Sequence, residues 1–259
     1  MVHRYDPPAA SVIEVLRLTP RNHEGQYVIG WRIDVSADVR LSAHEDAFGN
    51  LTHVFNADGP FDELSVEVDG EVETQNTDGV VRGAVERFPP SMFLRDTPLT
   101  QADTAIREFA QTVRAANVGS ALAELHGILG RLHDDIACDD GLKGRSTSAA
   151  EAFASKQAVP PDLAHIFVGA AHSLGIPARY VSGYFCADEM AARKGGHAWA
   201  EAFVPDLGWV GFDPTNGMCP TDAYVRVAIG LDAQGAAPVR GMRYGVSEET
   251  HKVAVKVEQ

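Results

Sequence analysis

The stretches AVPPDLAHIFVGAAHSLGIPARYVSGYF (158–185) and GGHAWAEAFVPDLGWVGFDPTNG (195–217) decide the fold. Pro160-Pro161-Asp162 predicts a helix start, because the first-turn N–H has no partner and proline costs nothing there. Leu163, Ile166, Phe167, Ala170, Ala171 and Leu174 continue the helix, and Gly175 with Pro177 stops it. Three strand-like runs follow, Ala178–Phe185, His197–Val204 and Trp209–Asp213, with Pro205–Gly208 as a tight connection between the last two. A turn that pairs Val204 with Gly208 sets Asp213 opposite Trp199 and diagonal to His197, on one face. Diagonal neighbours lie roughly 7–8 Å apart, within reach of a His–Asp hydrogen bond. A slip of one residue puts the two on opposite faces. A carboxylate there fixes the imidazole tautomer and favours its charged form, as in a nucleophile–base–orienter site. A purely structural His–Asp pair meets the same description.

Upstream of this stretch the pattern is helical. Thr100 with Asp103 marks a start, and Ile106, Phe109, Ala110 and Val113 form an apolar face. Leu122, Leu125, Ile128, Leu129, Leu132 and Ile136 form a longer one, and both read as core packing. Asp139–Arg145 reads as a polar loop, and Ser148 with Glu151 as a capping box. Arg87–Pro98 carries three prolines and no period, which predicts a linker.

The first third reads as β structure. Ser11–Leu18 is apolar and β-branched. Tyr27, Ile29, Trp31, Ile33 and Val35 alternate with polar or small neighbours, the period of a half-buried strand. Leu51–Phe55 follows the turn-rich Asp46–Asn50, and Leu64, Val66 and Val68 alternate with Glu63, Ser65 and Glu67. Asp69–Gly70 then predicts a tight hairpin turn. These short strands suggest a small β-sandwich over residues 1–88, followed by a helix-and-sheet domain over 89–259.

Composition bounds the partners. A chain of 259 residues, at roughly 150 per domain, fits a core with a smaller companion. The hydrophobic share of 45% and charged share of 22% exclude long disorder, collagen and a coiled-coil rod. A net charge of −14 repels phosphate backbones, so no nucleic-acid partner is expected. No apolar run reaches the roughly 20 residues that span a bilayer. Met1–Ala10 lacks a basic-then-apolar signal pattern, so the expectation is a cytoplasmic protein with reduced thiols. Cys138, Cys186 and Cys219 form neither a disulfide framework nor a metal pair. His165 and His172 share a helix face without a converging Cys or Asp set, so no metal and no cofactor is expected.

The two blocks quoted above resemble the core of the bacterial transglutaminase-like proteins, relatives of the papain-type cysteine peptidases. LRLTPR (16–21), DAFGN (46–50) and VET (72–74) resemble the N-terminal domain that often accompanies that core. The resemblance implies an α+β fold: a papain-like core of helices packed on an antiparallel sheet, preceded by the small β-sandwich. It implies a Cys–His–Asp site in which His197 and Asp213 are the His and Asp. It places the nucleophile at Pro160, where the family's GVCQDFAH element reads Ala158–His165 in this chain. Trp199, Asp162 and His165 become candidates for lining the cleft.

The departures bear on chemistry. A cysteine at a helix N-terminus is activated by the helix dipole and a nearby imidazolium. Proline has neither a thiol nor the backbone N–H that in this architecture helps hold the oxyanion. Loss of one such donor alone costs roughly 10²–10³ in rate. Gly230–Ala233 replaces a GRDY-like run, and Tyr224 stands where a His is common. Three readings follow. The first, which these departures favour, is a protein that has lost acyl transfer and binds a peptide or protein in the cleft. The second is a peptidase, amidase or acyl transferase with a relocated nucleophile, Cys219 being the nearest substitute. The third is an assembly role carried by the β domain. The oligomeric state is left open.

Overall fold

The computed structural model describes residues 1–117, 119–139, 147–186 and 196–257; apart from Asp139, the expected polar loop over 139–145 lies outside them. The N-terminal strands are β1 (Val2–Leu16), β2 (Gln26–Val35), β3 (Ser42–Glu45), β4 (Leu51–Thr74) and β5 (Val80–Val81), and a 3-10 turn spans Pro90–Leu94. Next come α1 (Thr104–Ala116), α2 (Ala121–Asp135), β6 (Ala137–Cys138), α3 (Ala149–Ser155), β7 (Gln157–Ala158) and α4 (Pro160–Ser173). The chain continues through β8 (Ala178–Phe185), β9 (His197–Val204), β10 (Gly208–Phe212), β11 (Tyr224–Gly230), β12 (Val239–Tyr244) and β13 (Glu248–Lys252).

Two antiparallel sheets organise these elements. The first runs β12-β1-β4-β2, with β13 also on β1 and β3 also on β4. Its long strands are interrupted by bulges and enclose Val12, Leu16, Phe55, Leu64 and Val66. The second runs β11-β8-β9-β10-β5. α4 packs on β8 and β9, and α1, α2 and α3 pack on α4. Because α4 is buried from Asp162 through Ala171, it needs neighbours on every side.

The helix ends follow their chemistry. Asp103 accepts a bond from Ile106 N at 2.9 Å, and Ser120 accepts one from Ala123 N. Ser148 and Glu151 form the reciprocal capping box. After α4, Gly175 adopts φ +75°, which lets Ile176 N reach back to Ala171 O.

Four expectations are corrected. In β2 a bulge between Val28 and Gly30 shifts the phase of the alternation. Trp31, Ile33 and Val35 face inward, whereas Tyr27 and Ile29 are 59% and 55% exposed. Asp69–Gly70 is not a turn: both residues pair with Arg32 and Trp31 in mid-strand. The glycine is needed because a Cβ there would lie 2.2 Å from the Trp31 ring. Nor do the sheets divide between residues 88 and 89. Val80–Val81 pairs with β10, while β12 and β13 return to β1, whose second edge would otherwise be unpaired. Finally, the expected linker is packed: Phe93 is 1% exposed and meets the Trp209 ring edge-on at 5.1 Å.

The same region feeds a buried ionic network. Glu201, in mid-β9, receives bonds from Arg179 at 2.7 Å and from Arg226 at 2.6 Å. Arg179 also reaches Glu86 at 2.7 and 2.9 Å, and its guanidinium lies 3.8 Å from the Trp209 ring centroid. Burial pushes the Glu201 carboxyl up, but Arg226 and Arg179 overcome it and hold it down at about 2.

Two tests follow. Gly70→Ala should cost about 1–3 kcal/mol by overpacking. Gly130→Ala, in mid-α2 with open space at its Cβ, should instead stabilise by up to about 1 kcal/mol; urea melts decide both signs. Glu201→Ala strands two guanidinium groups and should cost about 3–5 kcal/mol. Loss of the exposed Arg4–Glu63 pair should cost less than about 1 kcal/mol in the same melts.

Candidate functional site

The hairpin β9–β10 has the register that its turn chemistry predicts: Gly208 opposes Val204, and Phe212 opposes Ala200. One step further along β10, Asp213 comes level with Trp199 and reaches His197. His197 Nε2 donates to Asp213 Oδ2 at 2.6 Å, with the carboxylate fully buried and His197 only 5% exposed. The ring is also packed against Phe185 and Tyr224, with centroids 5.5 and 5.9 Å away.

Asp213 is held from several sides. Tyr224 Oη and Asn216 Nδ2 each donate to Oδ2 at 2.7 Å, and Thr215 N donates to Oδ1 at 2.9 Å. Burial raises the carboxyl pKa, but the hydrogen bonds from His197, Tyr224 and Asn216 outweigh it, so the net shift is downward. Asp213 is thus an anion that orients the imidazole by its Nε2 edge. Among the described residues no hydrogen bond reaches the other ring nitrogen, Nδ1.

α4 reaches the same neighbourhood. Ala164, in its first turns, shares a buried cluster with Ala198, the residue after His197. The helix begins on Pro160 and Pro161, so its first two positions carry no N–H. A cavity of about 400 Å³ lies beside these elements, with a wall that includes His133, Cys138, Lys156, Leu163, Pro214 and Thr215.

The three cleft candidates sit elsewhere than expected. Trp199 is 2% exposed and is packed in a cluster with Phe93, Val181 and Trp209. Asp162 is buried and accepts from Val159 N at 3.3 Å; burial pushes it up to about 6 against that bond. His165 accepts from Ala233 N through Nε2 at 3.0 Å, and burial lowers it to about 4, so it is a neutral core imidazole. None of the three lines the cavity. Sequence reading missed Asn216 and Thr215, although both stand in the PTNG run beside Asp213. It noted Tyr224 only as a departure, whereas its hydroxyl is a ligand of the Asp213 carboxylate.

The cysteines also rank differently. Cys219 is half-buried, and burial followed by the charge of Asp78 pushes its thiol up to about 11, which disfavours the thiolate. Cys138 is exposed and pairs with Ala158, two residues before Pro160. No group of three or more His, Cys, Asp or Glu suited to a metal ion occurs among the described residues. None of the described helices is long and apolar enough to cross a membrane.

Residues 107–214 match the model of the transglutaminase-like superfamily, and residues 1–73 match that of the bacterial transglutaminase-like N-terminal region. Two transglutaminase-like models thus match separate stretches of the chain. Among relatives of this transglutaminase-like protein, the uncharacterized protein ML0607 of Mycobacterium leprae is 28% identical, over 98% of this chain and 94% of the relative. The uncharacterized protein Rv2569c of Mycobacterium tuberculosis is 27% identical over 90% and 82%. A candidate cysteine protease from Cytophaga hutchinsonii superimposes with a TM-score of 0.75 at 17% identity, over 100% of this chain and 89% of that one. The last likeness establishes the shared fold: a transglutaminase-like, papain-type α+β core with an N-terminal β domain.

Tyr224→Phe tests the anion. A lowered carboxylate pKa gives stability that is present above the unfolded value, near pH 4, and lost as pH falls through the folded value. Removing the Tyr224 donor should cost about 1–3 kcal/mol near neutral pH. It should also move the acid limb of the stability curve to higher pH, as read by thermal melts across a pH series.

Proposed function

We propose that this transglutaminase-like protein has lost cysteine-dependent acyl transfer and acts by binding a peptide or protein segment. The observation that carries the reading is Pro160 at the first position of α4, where the resembling family places its cysteine. Attack on a carbonyl needs a thiolate near His197 and an N–H to hold the oxyanion. Proline supplies neither. Cys219 is no replacement, because its thiol is held protonated at neutral pH. The cavity between α4's first turn and the Pro214–Thr215 segment is the place for the bound segment.

The test pairs loss with gain. Wild type should show no turnover of peptide amides or thioesters. Pro160→Cys combined with Pro161→Gln should gain a thiol at 160 that alkylates at least about tenfold faster with His197 than with His197→Ala. A peptide array should retain sequences that wild type binds and Thr215→Trp, which fills the cavity, does not. Wild-type turnover abolished by His197→Ala would overturn the reading. So would rapid alkylation of Cys138 that slows in His197→Ala, which would revive a relocated nucleophile. An array with no difference between wild type and Thr215→Trp would remove the cavity from the binding role.

A further inference from the structure

The N-terminal sheet ends in β2 on one side and β12 on the other. These edges offer a second strand different chemistry. Next to β2, the outward side chains of β4 are Glu67, Asp69, Glu71 and Glu73, with Asp34 directly opposite Glu67 and with Arg32, opposite Asp69 and paired with Asp34, offsetting one of the five negative charges. In a chain of net charge −14, that edge repels a copy of itself. β12 is the reverse. Its sequence VRGMRY contains no carboxylate, lysine or proline, and lysine and proline are among the residues that ordinarily guard an edge. Its outward side chains are Arg240, Met242 and Tyr244. Met242 and Tyr244 are 77% and 75% exposed, and Ile13, opposite Met242 on β1, is 46% exposed. Among the described residues no strand lies on the other side of β12.

We propose that β12 pairs antiparallel with β12 of a second copy, forming a two-fold dimer with one sheet continuous through both molecules. The strand is self-complementary about Met242. A two-fold axis there opposes Met242 to Met242, Arg240 to Tyr244 and Gly241 to Arg243 of the other copy. Each guanidinium then meets a phenol ring and no other cation. Arg243 stays inward on Glu14 and Glu249, and Gly241 adds no bulk against it. An axis at Arg240 would instead oppose two arginines. The pairing satisfies the free edge of β12 and merges the two Ile13–Met242–Tyr244 patches into one apolar strip, an isologous contact that closes on itself.

Sedimentation velocity over a series from low micromolar to near-millimolar protein should show monomer giving way to dimer and to nothing larger. Met242→Lys, which sets lysine against lysine across the axis, and Tyr244→Lys, which sets it against Arg240, should each weaken dimerisation by about tenfold or more, with unchanged thermal midpoints of the monomer. Strands paired at residue 242 hold opposed Cα atoms about 4.5–5.5 Å apart, within disulfide range. Met242→Cys in a Cys138→Ser background should therefore crosslink to a covalent dimer under mild oxidation, and Tyr27→Cys in that background should not. Monomer at every concentration would overturn the proposal. So would a dimer indifferent to both substitutions and lacking the 242 crosslink. A ladder of growing species would mean β12 docking on β2 of the next molecule, and would overturn the two-fold arrangement.

Discussion

A carboxylate with no access to water, Glu201, joins the parts of this molecule. It lies in the middle of β9, the strand that carries His197 at its start and contacts both β8 and β10. An isolated buried charge is intolerable, so Arg179 from β8 and Arg226 from β11 must both be in place around it. Each arginine brings more structure with it. Arg179 fixes Glu86 and the Phe93–Trp209 aromatic contact, which pins the proline-rich segment against the sheet. The backbone of Arg226 is bonded on both sides by Gln26, from the N-terminal sheet. The strand order, the entry of the chain into the core and the seating of the N-terminal region therefore converge on one side chain four residues from His197.

That geometry has a consequence for the site. His197, Trp199 and Glu201 alternate onto one face of β9, while Ala198, Ala200 and Ala202 face α4. Small residues on the helix side let α4 lie close, and large polar ones on the other side anchor the strand. Locking Glu201 fixes the strand's rotation, and with it the direction of the His197 ring. Asp213 completes the restraint from β10, so the imidazole has little freedom to choose its partner.

The parts of the sequence that were legible are those where local chemistry alone decides. The tight Pro205–Gly208 turn sets a register, and the register brings His197 to Asp213. Ser148 and Glu151 cap α3 because both ends of the capping box lie within one turn. What escaped reading depends on distant residues. Nothing local distinguishes Gly70 as a glycine beneath a tryptophan ring from Gly70 as a turn. The bulge at Val28–Gly30 is visible only once β4 lies beside β2. The return of β12 and β13 to β1 spans most of the chain, and their short mixed sequences carry no sign of it. Trp199, Asp162 and His165 were read as cleft residues because a motif places residues along a strand or helix but does not say which face is covered.

On the proposed reading, the retention of a His–Asp pair without its cysteine has a physical explanation. Removing Asp213 would orphan the donors from His197, Tyr224, Asn216 and Thr215 in a buried site. Removing Glu201 would strand two arginines. These members are held by stability whether or not any reaction occurs. Position 160 is different: it is the first residue of a helix, only partly buried, and without an intrahelical partner for an N–H. A proline is accommodated there at almost no cost. On the proposed reading, the nucleophile is the one element of the site that could be lost without disturbing the fold. A preserved imidazole–carboxylate pair is then what such a loss leaves behind, and its presence alone is no evidence of turnover.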